Sequence, residues 1–381
     1  MIFDLKPLKI GELIAPIPVV QGGMGVGISL SGLASAVAAA GGIGTISAAQ
    51  IGFRDPEYDK NPLETNLRVL KEEIIRAKEK AAGGIIAVNI MVATKFYEKY
   101  VKVALEAGVD MIVSGAGLPM TLPALAKGFA TKLVPIVSSV KSADVICKYW
   151  SKKYDKTPDM IIIEGPLAGG HLGFSKEQLE QIDDLDYDTE IINIIKKVKE
   201  YETTSKQEIP VVVAGGIYNR EDLERVISYG ASGVQIGTRF VTTYECDAPA
   251  AYKDAYIKAE KEDVIIVKSP VGMPGRAIRN PFIEKSKQGI IPHKSCHNCI
   301  SGCNPATTPY CITEALVHAA EGLLEDALIF CGANAYKAKK MEHVGDIMLE
   351  FAGSLEESKV EETTVNPLIG KRQKIAEGSE E

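Results

Sequence analysis

The chain of 381 residues is poor in aromatic side chains, which make up 6% of it with one tryptophan, and it holds only five histidines. It lacks any block of clustered lysine and arginine, and a net charge of -7 gives no electrostatic footprint for a polyanion. Nucleic acid and anionic membrane surfaces are therefore not expected partners. The opening Met1-Ile-Phe-Asp-Leu-Lys-Pro7 lacks the basic-then-apolar order of a signal peptide, so a cytoplasmic location and reduced cysteines are expected. No low-complexity tract or solenoid repeat is present, which excludes those architectures. Charge is also missing between Gly22 and Phe53, a stretch long enough to suggest a membrane span. Glycines at 22, 23, 25, 27, 32, 41, 42, 44 and 52 divide it, and Ser29, Ser31, Ser35, Thr45 and Ser47 would be penalised in hydrocarbon. A buried helix from Leu33 to Ala40 followed by a turn and a strand is the better reading.

What is there is a 46% hydrophobic chain, enough for one large core with an appendage. Eight short apolar runs bounded by Gly, Pro or Asp read as strands: Ile17–Val20, Ile43–Ile46, Ile85–Ile90, Met111–Val113, Leu133–Val137, Met160–Ile163, Val211–Ala214 and Val234–Ile236. Helix-length segments lie between most of them: Pro62–Ala81, Phe96–Ala107, Leu122–Phe129, Ala143–Lys153, Glu190–Tyr201 and Arg220–Tyr229. Continuous β-branched runs spaced by helices indicate a parallel sheet covered on both faces. The spacing predicts an α/β fold, a closed (β/α)8 TIM barrel with a C-terminal excursion and helical appendage. A doubly wound open sheet is the alternative.

The most informative stretch is Glu164-Gly-Pro-Leu-Ala-Gly-Gly-His171-Leu-Gly173, directly after Met160-Ile-Ile-Ile163. A strand that ends in glycines and one imidazole builds a site, since glycine admits close approach of a ligand and histidine titrates near neutrality. Other runs end similarly, in Gln21-Gly-Gly-Met24, Asn89, Ser114, Ser138-Ser139, Gly215-Gly216 and Gly237-Thr238. In a barrel these ends converge on the face where such enzymes place their chemistry. Loops after the seventh and eighth strands commonly bind a phosphate through backbone N–H groups, which puts one near Gly215, Gly216, Gly237 and Thr238. A Rossmann site at Gly22–Gly27 fits poorly. Gly23-Met-Gly-Val-Gly27 lacks the G-x-G-x-x-G spacing, and Ile43-Gly-Thr-Ile46 ends in no acidic residue for a ribose.

Pro18-Val-Val-Gln-Gly-Gly-Met24, Ala40-Gly-Gly-Ile-Gly44, Asn89, Ala168-Gly-Gly-His171, Ala214-Gly-Gly-Ile217 and Gln235-Ile-Gly-Thr-Arg-Phe240, taken in order, resemble the nitronate monooxygenase (2-nitropropane dioxygenase) family. Most of these motifs are shared with the flavin-dependent enoyl-ACP reductase II enzymes, and the resemblance covers about residues 10 to 285. It implies a TIM barrel that binds FMN, with His171 as the catalytic residue. It implies flavin contacts from Gly22, Gly23, Met24, Asn89, Glu164, Ala168, Gly169 and Gly170. The phosphate end would fall to Ala214, Gly215, Gly216, Gln235, Gly237 and Thr238, with Ser114 and Ser138 as weaker candidates. Two departures stand out: Pro166-Leu167 replaces more polar residues, and Ser138 stands in place of a lysine.

The implied activity is oxidation of alkyl nitronates or nitroalkanes with O2. The alternative is NAD(P)H-dependent reduction of an enoyl thioester or quinone on the same FMN barrel, and a third reading is a non-catalytic barrel that binds flavin or a phosphometabolite. A small-molecule substrate and a homodimer are expected. Arg276, Arg279 and Asn280 are candidates for holding an anionic substrate part, for pinning a lid, or for surface ion pairs.

Cys296-His-Asn-Cys299-Ile-Ser-Gly-Cys303 and Cys311 place four thiols within sixteen residues. In a reducing compartment that pattern points to Zn or an Fe–S cluster, with His297 able to replace one ligand. Cys147, Cys246 and Cys331 read as core residues. The expected organisation is an FMN-binding barrel over 1–240, an excursion with the cysteine cluster over 241–310, helices closing on the barrel over 311–355, and a mobile tail over 356–381.

Overall fold

The computed structural model describes residues 5–353 except 294, 295, 302 and 305. Eight strands close into one parallel barrel. They are β1 (Val19–Gln21), β2 (Ile43–Ser47), β3 (Ile85–Asn89), β4 (Met111–Ser114), β5 (Lys132–Val137), β6 (Ile161–Glu164), β7 (Val211–Ala214) and β8 (Gly233–Ile236). β8 returns to β1 through Val234 opposite Val19 and Gln235 opposite Val20, so the sheet has no edge and the open-sheet alternative is excluded.

Period-two alternation sorts the strand side chains. Ile85, Ala87, Met160, Ile162, Val212 and Ala214 point into the barrel and form one cluster, while Ile86, Val88, Ile161, Ile163, Val211 and Val213 face outward into the larger core beneath the helices. Asn89 and Glu164 continue the inward series at the C-terminal ends of β3 and β6. The opposite end is closed by a hairpin, Leu8–Ile10 paired with Leu13–Ala15, that the apolar-run reading missed because each strand is three residues long. Its Leu8, Ile10 and Ala15 join the interior cluster.

Outside lie α1 (Ser31–Ala39), α2 (Pro62–Lys80), α3 (Tyr97–Glu106), α4 (Leu122–Leu125), α5 (Val140–Tyr154), α6 (Tyr187–Ser205), α7 (Arg220–Ser228) and α8 (Val344–Ala352). The expected helix Leu122–Phe129 shrinks to α4, since Gly128 takes a φ of +91° and the chain turns there. α5 starts three residues earlier than expected because Ser139 and Ser142 cap each other's backbone N–H. Within the helices expected over 311–355, residues 335–352 form a short 3-10 turn, Ala335–Lys337, and α8.

α8 packs against both α1 and α7, the place of an eighth barrel helix. Residues 242–343 therefore leave the last βα unit and return to it. Arg239, at the departure point, is buried and fixes the return by ion pairs to Glu342 (2.9 Å) and Glu350 (2.6 Å). Within the insertion Val264–Lys268 and Pro274–Ile278 form an antiparallel pair, to which Gly170–His171 adds a third strand. The reading of 241–310 as an excursion with a cysteine cluster did not include this sheet. The expected tail at 356–381 lies outside the described residues.

Candidate active site

A cavity of about 450 Å3 opens where the barrel strands terminate. Gly22, Gly23, Met24, Asn89, Glu164, Ala168, Gly169, Gly170, His171, Ala214, Gly215, Gly216, Gln235, Gly237 and Thr238 all line it, so one mouth unites candidate residues from five separate stretches of chain, while the Ala40–Gly44 motif lies outside it. Ser138 lines it too. Ser114 does not: its hydroxyl is fully buried, donates to the Ile90 carbonyl (2.7 Å) and meets the Tyr97 hydroxyl (2.9 Å), so it braces the end of β4.

The floor is glycine because backbones and side chains meet there without room for a Cβ. A Cβ on Gly23 would lie 2.4 Å from that of Asn89, so only glycine lets β1 pass beside the Asn89 amide. Gly215 adopts a φ of +95°, and its Cβ would lie 2.9 Å from the Gly165 carbonyl oxygen. Between these loops, Gln235 projects from β8 with its Oε1 buried and without a protein partner. A buried acceptor left unsatisfied is costly, so this atom is poised for a donor that comes with a ligand.

His171 is placed by the inserted sheet. It sits opposite Gly275, its Nε2 lies 2.7 Å from the Ser269 Oγ, and its ring meets Phe330 edge-on at 4.9 Å. Burial pushes the imidazole down to about 4, so it is neutral at neutral pH and presents one N–H and one lone pair. Burial acts oppositely on Glu164, whose carboxyl is raised to about 7. The Tyr187 hydroxyl holds the end of β6 by donating to the carbonyls of Glu164 (3.1 Å) and Ser138 (2.9 Å).

The remaining wall comes from the insertion, which sequence reasoning did not connect to the site. Tyr252, Tyr256, Met273, Leu316, Phe330, Cys331 and Gly332 line the cavity. The two tyrosines both donate to the Phe330 carbonyl, at 3.0 and 2.6 Å, and Asn334 donates to the Gly216 carbonyl at 2.8 Å. Thr238 Oγ1 accepts from Gly332 N–H at 3.2 Å, so the expected phosphate loop carries the 330–334 segment directly above it. The four-residue β-branched run at Val264–Val267 was the available signal for this wall.

Arg276 is buried and donates to the Ala168 carbonyl, which pins the inserted strand to the Ala168–His171 loop and leaves the guanidinium outside the cavity lining. Arg279 makes an ion pair with Glu284 at 3.8 Å, half-exposed on both sides. Asn280 caps the helix Pro281–Gln288 and donates to the Leu324 and Ala327 carbonyls. None of the three lines the cavity: Arg276 pins, Arg279 makes the surface ion pair that was one of the expected alternatives, and Asn280 caps.

All seven cysteines are free thiols, and Cys147, Cys246 and Cys331 are buried as expected, Cys331 at the cavity wall. Cys296, Cys299, Cys303 and Cys311 line a second cavity of about 360 Å3. Burial raises the Cys299 thiol, and the neighbouring Cys311 and Cys303 add to the shift. Among the described residues no three His, Cys, Asp or Glu side chains converge closely enough to hold a metal ion. The four thiols border one shared space instead of meeting at a point. No described helix is long and apolar enough to cross a membrane.

The profile of the family described as nitronate monooxygenase matches residues 6–352. A Staphylococcus saprophyticus protein described as a probable nitronate monooxygenase is 28% identical over 299 residues, covering 73% of this chain and 80% of its own. FabK from Thermotoga maritima superposes with a TM-score of 0.67 at 25% identity, over 92% of this chain and 96% of its own. Nitroalkane oxidase from Streptomyces ansochromogenes shares the fold, with a TM-score of 0.67 at 20% identity over 91% and 97%. A cavity walled by glycines at the barrel mouth, with one neutral imidazole at its edge, is thus found on a chain that matches one family over nearly its whole described length, and the protein belongs to the nitronate monooxygenase family of oxidoreductases.

Proposed function

We propose that this protein is an FMN-dependent oxidoreductase that oxidises alkyl nitronates or nitroalkanes with O2. The observation that carries the reading is the unpartnered, buried Oε1 of Gln235, set in a glycine-walled mouth beside Asn89. That combination suits a flat, hydrogen-bonding ring system better than an apolar guest. Gly22, Gly23 and Met24 would hold the ring system by backbone, with the amides of Asn89 and Gln235 beside it. Gly215, Gly216, Gly237 and Thr238 would hold the phosphate. FMN, when bound, supplies the electron transfer between substrate and oxygen.

The chain's own contribution is orientation and proton management. His171 is neutral, fixed by Ser269, and lines the same mouth, so it can hydrogen-bond an anionic nitronate oxygen. Phe330 and Tyr252 wall the same space and keep bulk water from the imidazole. The likeness to Thermotoga maritima FabK over nearly the whole chain favours a second reading, in which NAD(P)H supplies the electrons and His171 donates a hydrogen bond to an enoyl thioester. Anaerobic absorbance titration separates the two. The expected result is a yellow protein that releases FMN and is bleached by a nitronate and not by NADH or NADPH. Rapid bleaching by a nicotinamide overturns the first reading, and a colourless protein that takes up no FMN overturns both.

A further inference from the structure

None of the described residues of 296–311 lines the barrel mouth, yet residues 297–301 are firmly seated. Ile300 bridges Thr94, Lys95 N–H donates to the Cys299 carbonyl at 3.0 Å, and Ser301 N–H donates to the Ala93 carbonyl at 3.0 Å. His297 stacks on Tyr58 at 4.9 Å and reaches Asp59 with its Nε2 at 3.2 Å. Its Nδ1 is left buried and without a partner. This backbone carries four thiols to the rim of one cavity of about 360 Å3, with Ile300 and Ile312 as apolar wall. The fourth, Cys311, stands at the N-cap of the helix Ile312–Glu321, the helix end that favours an anionic sulfur.

We propose that Cys296, Cys299, Cys303 and Cys311 ligate a polynuclear iron–sulfur cluster. A single zinc ion would need all its thiolates within about 2.3 Å of one point, and the described side chains do not converge in that way. A cluster spreads its metal atoms over a volume and takes one thiolate at each corner, which is the demand that four thiols around a shared space can meet. Soft sulfur ligands free of disulfides are the donor set that iron–sulfur chemistry uses. The location is also specific. Leu316 lines the barrel-mouth cavity and Ile312 the thiol-lined one, so the two spaces are separated by about one turn of the same helix.

The test uses the full-length protein expressed with iron and purified without oxygen. It is expected to carry about four iron atoms and about four acid-labile sulfides per chain, to give a paramagnetic signal after reduction with dithionite, and to keep its metal when flavin is stripped. Cys299→Ser and Cys303→Ser are expected to lose at least nine-tenths of the iron, while Cys147→Ser, in the barrel's helical layer, keeps it. Thermal unfolding and flavin content measured on each variant distinguish loss of the site from loss of the fold, and Cys303→Ser, at an exposed position, serves if Cys299→Ser does not fold. Zinc without sulfide, iron indifferent to the cysteine substitutions, or a folded protein that takes up no cluster on anaerobic reconstitution each overturns the proposal. None of these readouts depends on turnover, so the outcome is independent of whether the barrel oxidises nitronates.

Discussion

His171 Nε2 and Ser269 Oγ lie 2.7 Å apart although 98 residues separate them in the chain. The serine is buried in the turn that joins the two inserted strands, and the histidine ends the Ala168–His171 loop, so one hydrogen bond couples the insertion to the barrel mouth. By holding Nε2, Ser269 fixes the orientation of the ring at the edge of the cavity. His171→Ala should lower turnover by about two to four orders of magnitude if the imidazole handles the proton. Ser269→Ala should lower kcat by about tenfold with flavin content unchanged, and Ser269→Thr should restore most of it. Steady-state rates beside flavin stoichiometry check this; equal losses for alanine and threonine would show that Ser269 only packs.

The opposite shifts of His171 and Glu164 make a prediction about pH. The imidazole falls from an ordinary value of 6.5 to about 4, so between those values the unfolded chain binds a proton that the folded chain does not, and stability is lost as pH falls. The carboxyl rises from 4.5 to about 7, so there the folded chain binds the extra proton, and stability is lost as pH rises. The two slopes overlap and oppose each other between about pH 4.5 and 6.5. Glu164→Gln removes one of them. The flavin-free variant should then lose about 2–3 kcal/mol relative to its parent on going from pH 6.5 to 4.5. Urea denaturation at both pH values checks this, and a variant that tracks the parent refutes it.

Two glycines separate site from scaffold. Alanine at Gly23 would press its Cβ to 2.4 Å from the Asn89 Cβ, an atom fixed by the β3 backbone, so the strand ends at the mouth would have to shift. Alanine at Gly44 would press to 1.8 Å from the Ala34 carbonyl oxygen, backbone of α1 packed on β2. Gly23→Ala should therefore weaken flavin retention about tenfold, an effect of about 1.4 kcal/mol on binding, and also lower stability as the strand ends shift, whereas substitution of Gly44, outside the cavity lining, should affect stability alone. Gly44→Ala should cost about 3 kcal/mol of stability through overpacking. Flavin titration and chemical denaturation on both variants check the contrast.

The barrel was legible because a strand buried on both faces reads as an unbroken β-branched run, and each of the eight runs, from Ile17–Val20 to Val234–Ile236, lies within a residue or two of an observed strand. The mouth was legible because Gly22–Gly23, Gly215–Gly216 and Gly237 mark strand ends where a ligand can approach backbone. Ser269, Phe330 and Tyr252 were not. Each reaches the site from an insertion about 80 to 160 residues beyond His171, and such contacts leave no periodicity in the local sequence. Arg276 shows the same limit. Its chemistry suggested an anion, while its burial against the Ala168 carbonyl is a property of the closed fold.

Arg239 makes the strongest case for the inserted arrangement. It lies inside a motif whose neighbours face the mouth, yet its guanidinium points away, donating to Glu342, Glu350 and the Tyr218 carbonyl (3.0 Å). One planar cation thereby spans two carboxylates that bracket the start of α8 and its last turn, a geometry that a lysine ammonium cannot copy. Arg239→Met should cost about 3–5 kcal/mol, because two carboxylates are left partly buried without their cation. Adding Glu342→Gln and Glu350→Gln should recover a large part of that loss. Since α8 closes the barrel between α1 and α7, the single variant should also expose the chain after residue 340 to protease while the other strands stay protected. Denaturation of the single and triple variants, with mass spectrometry of the first cleavage site, checks both parts. A triple variant no more stable than the single one would show that Arg239 holds α8 by packing of its stem and not by charge.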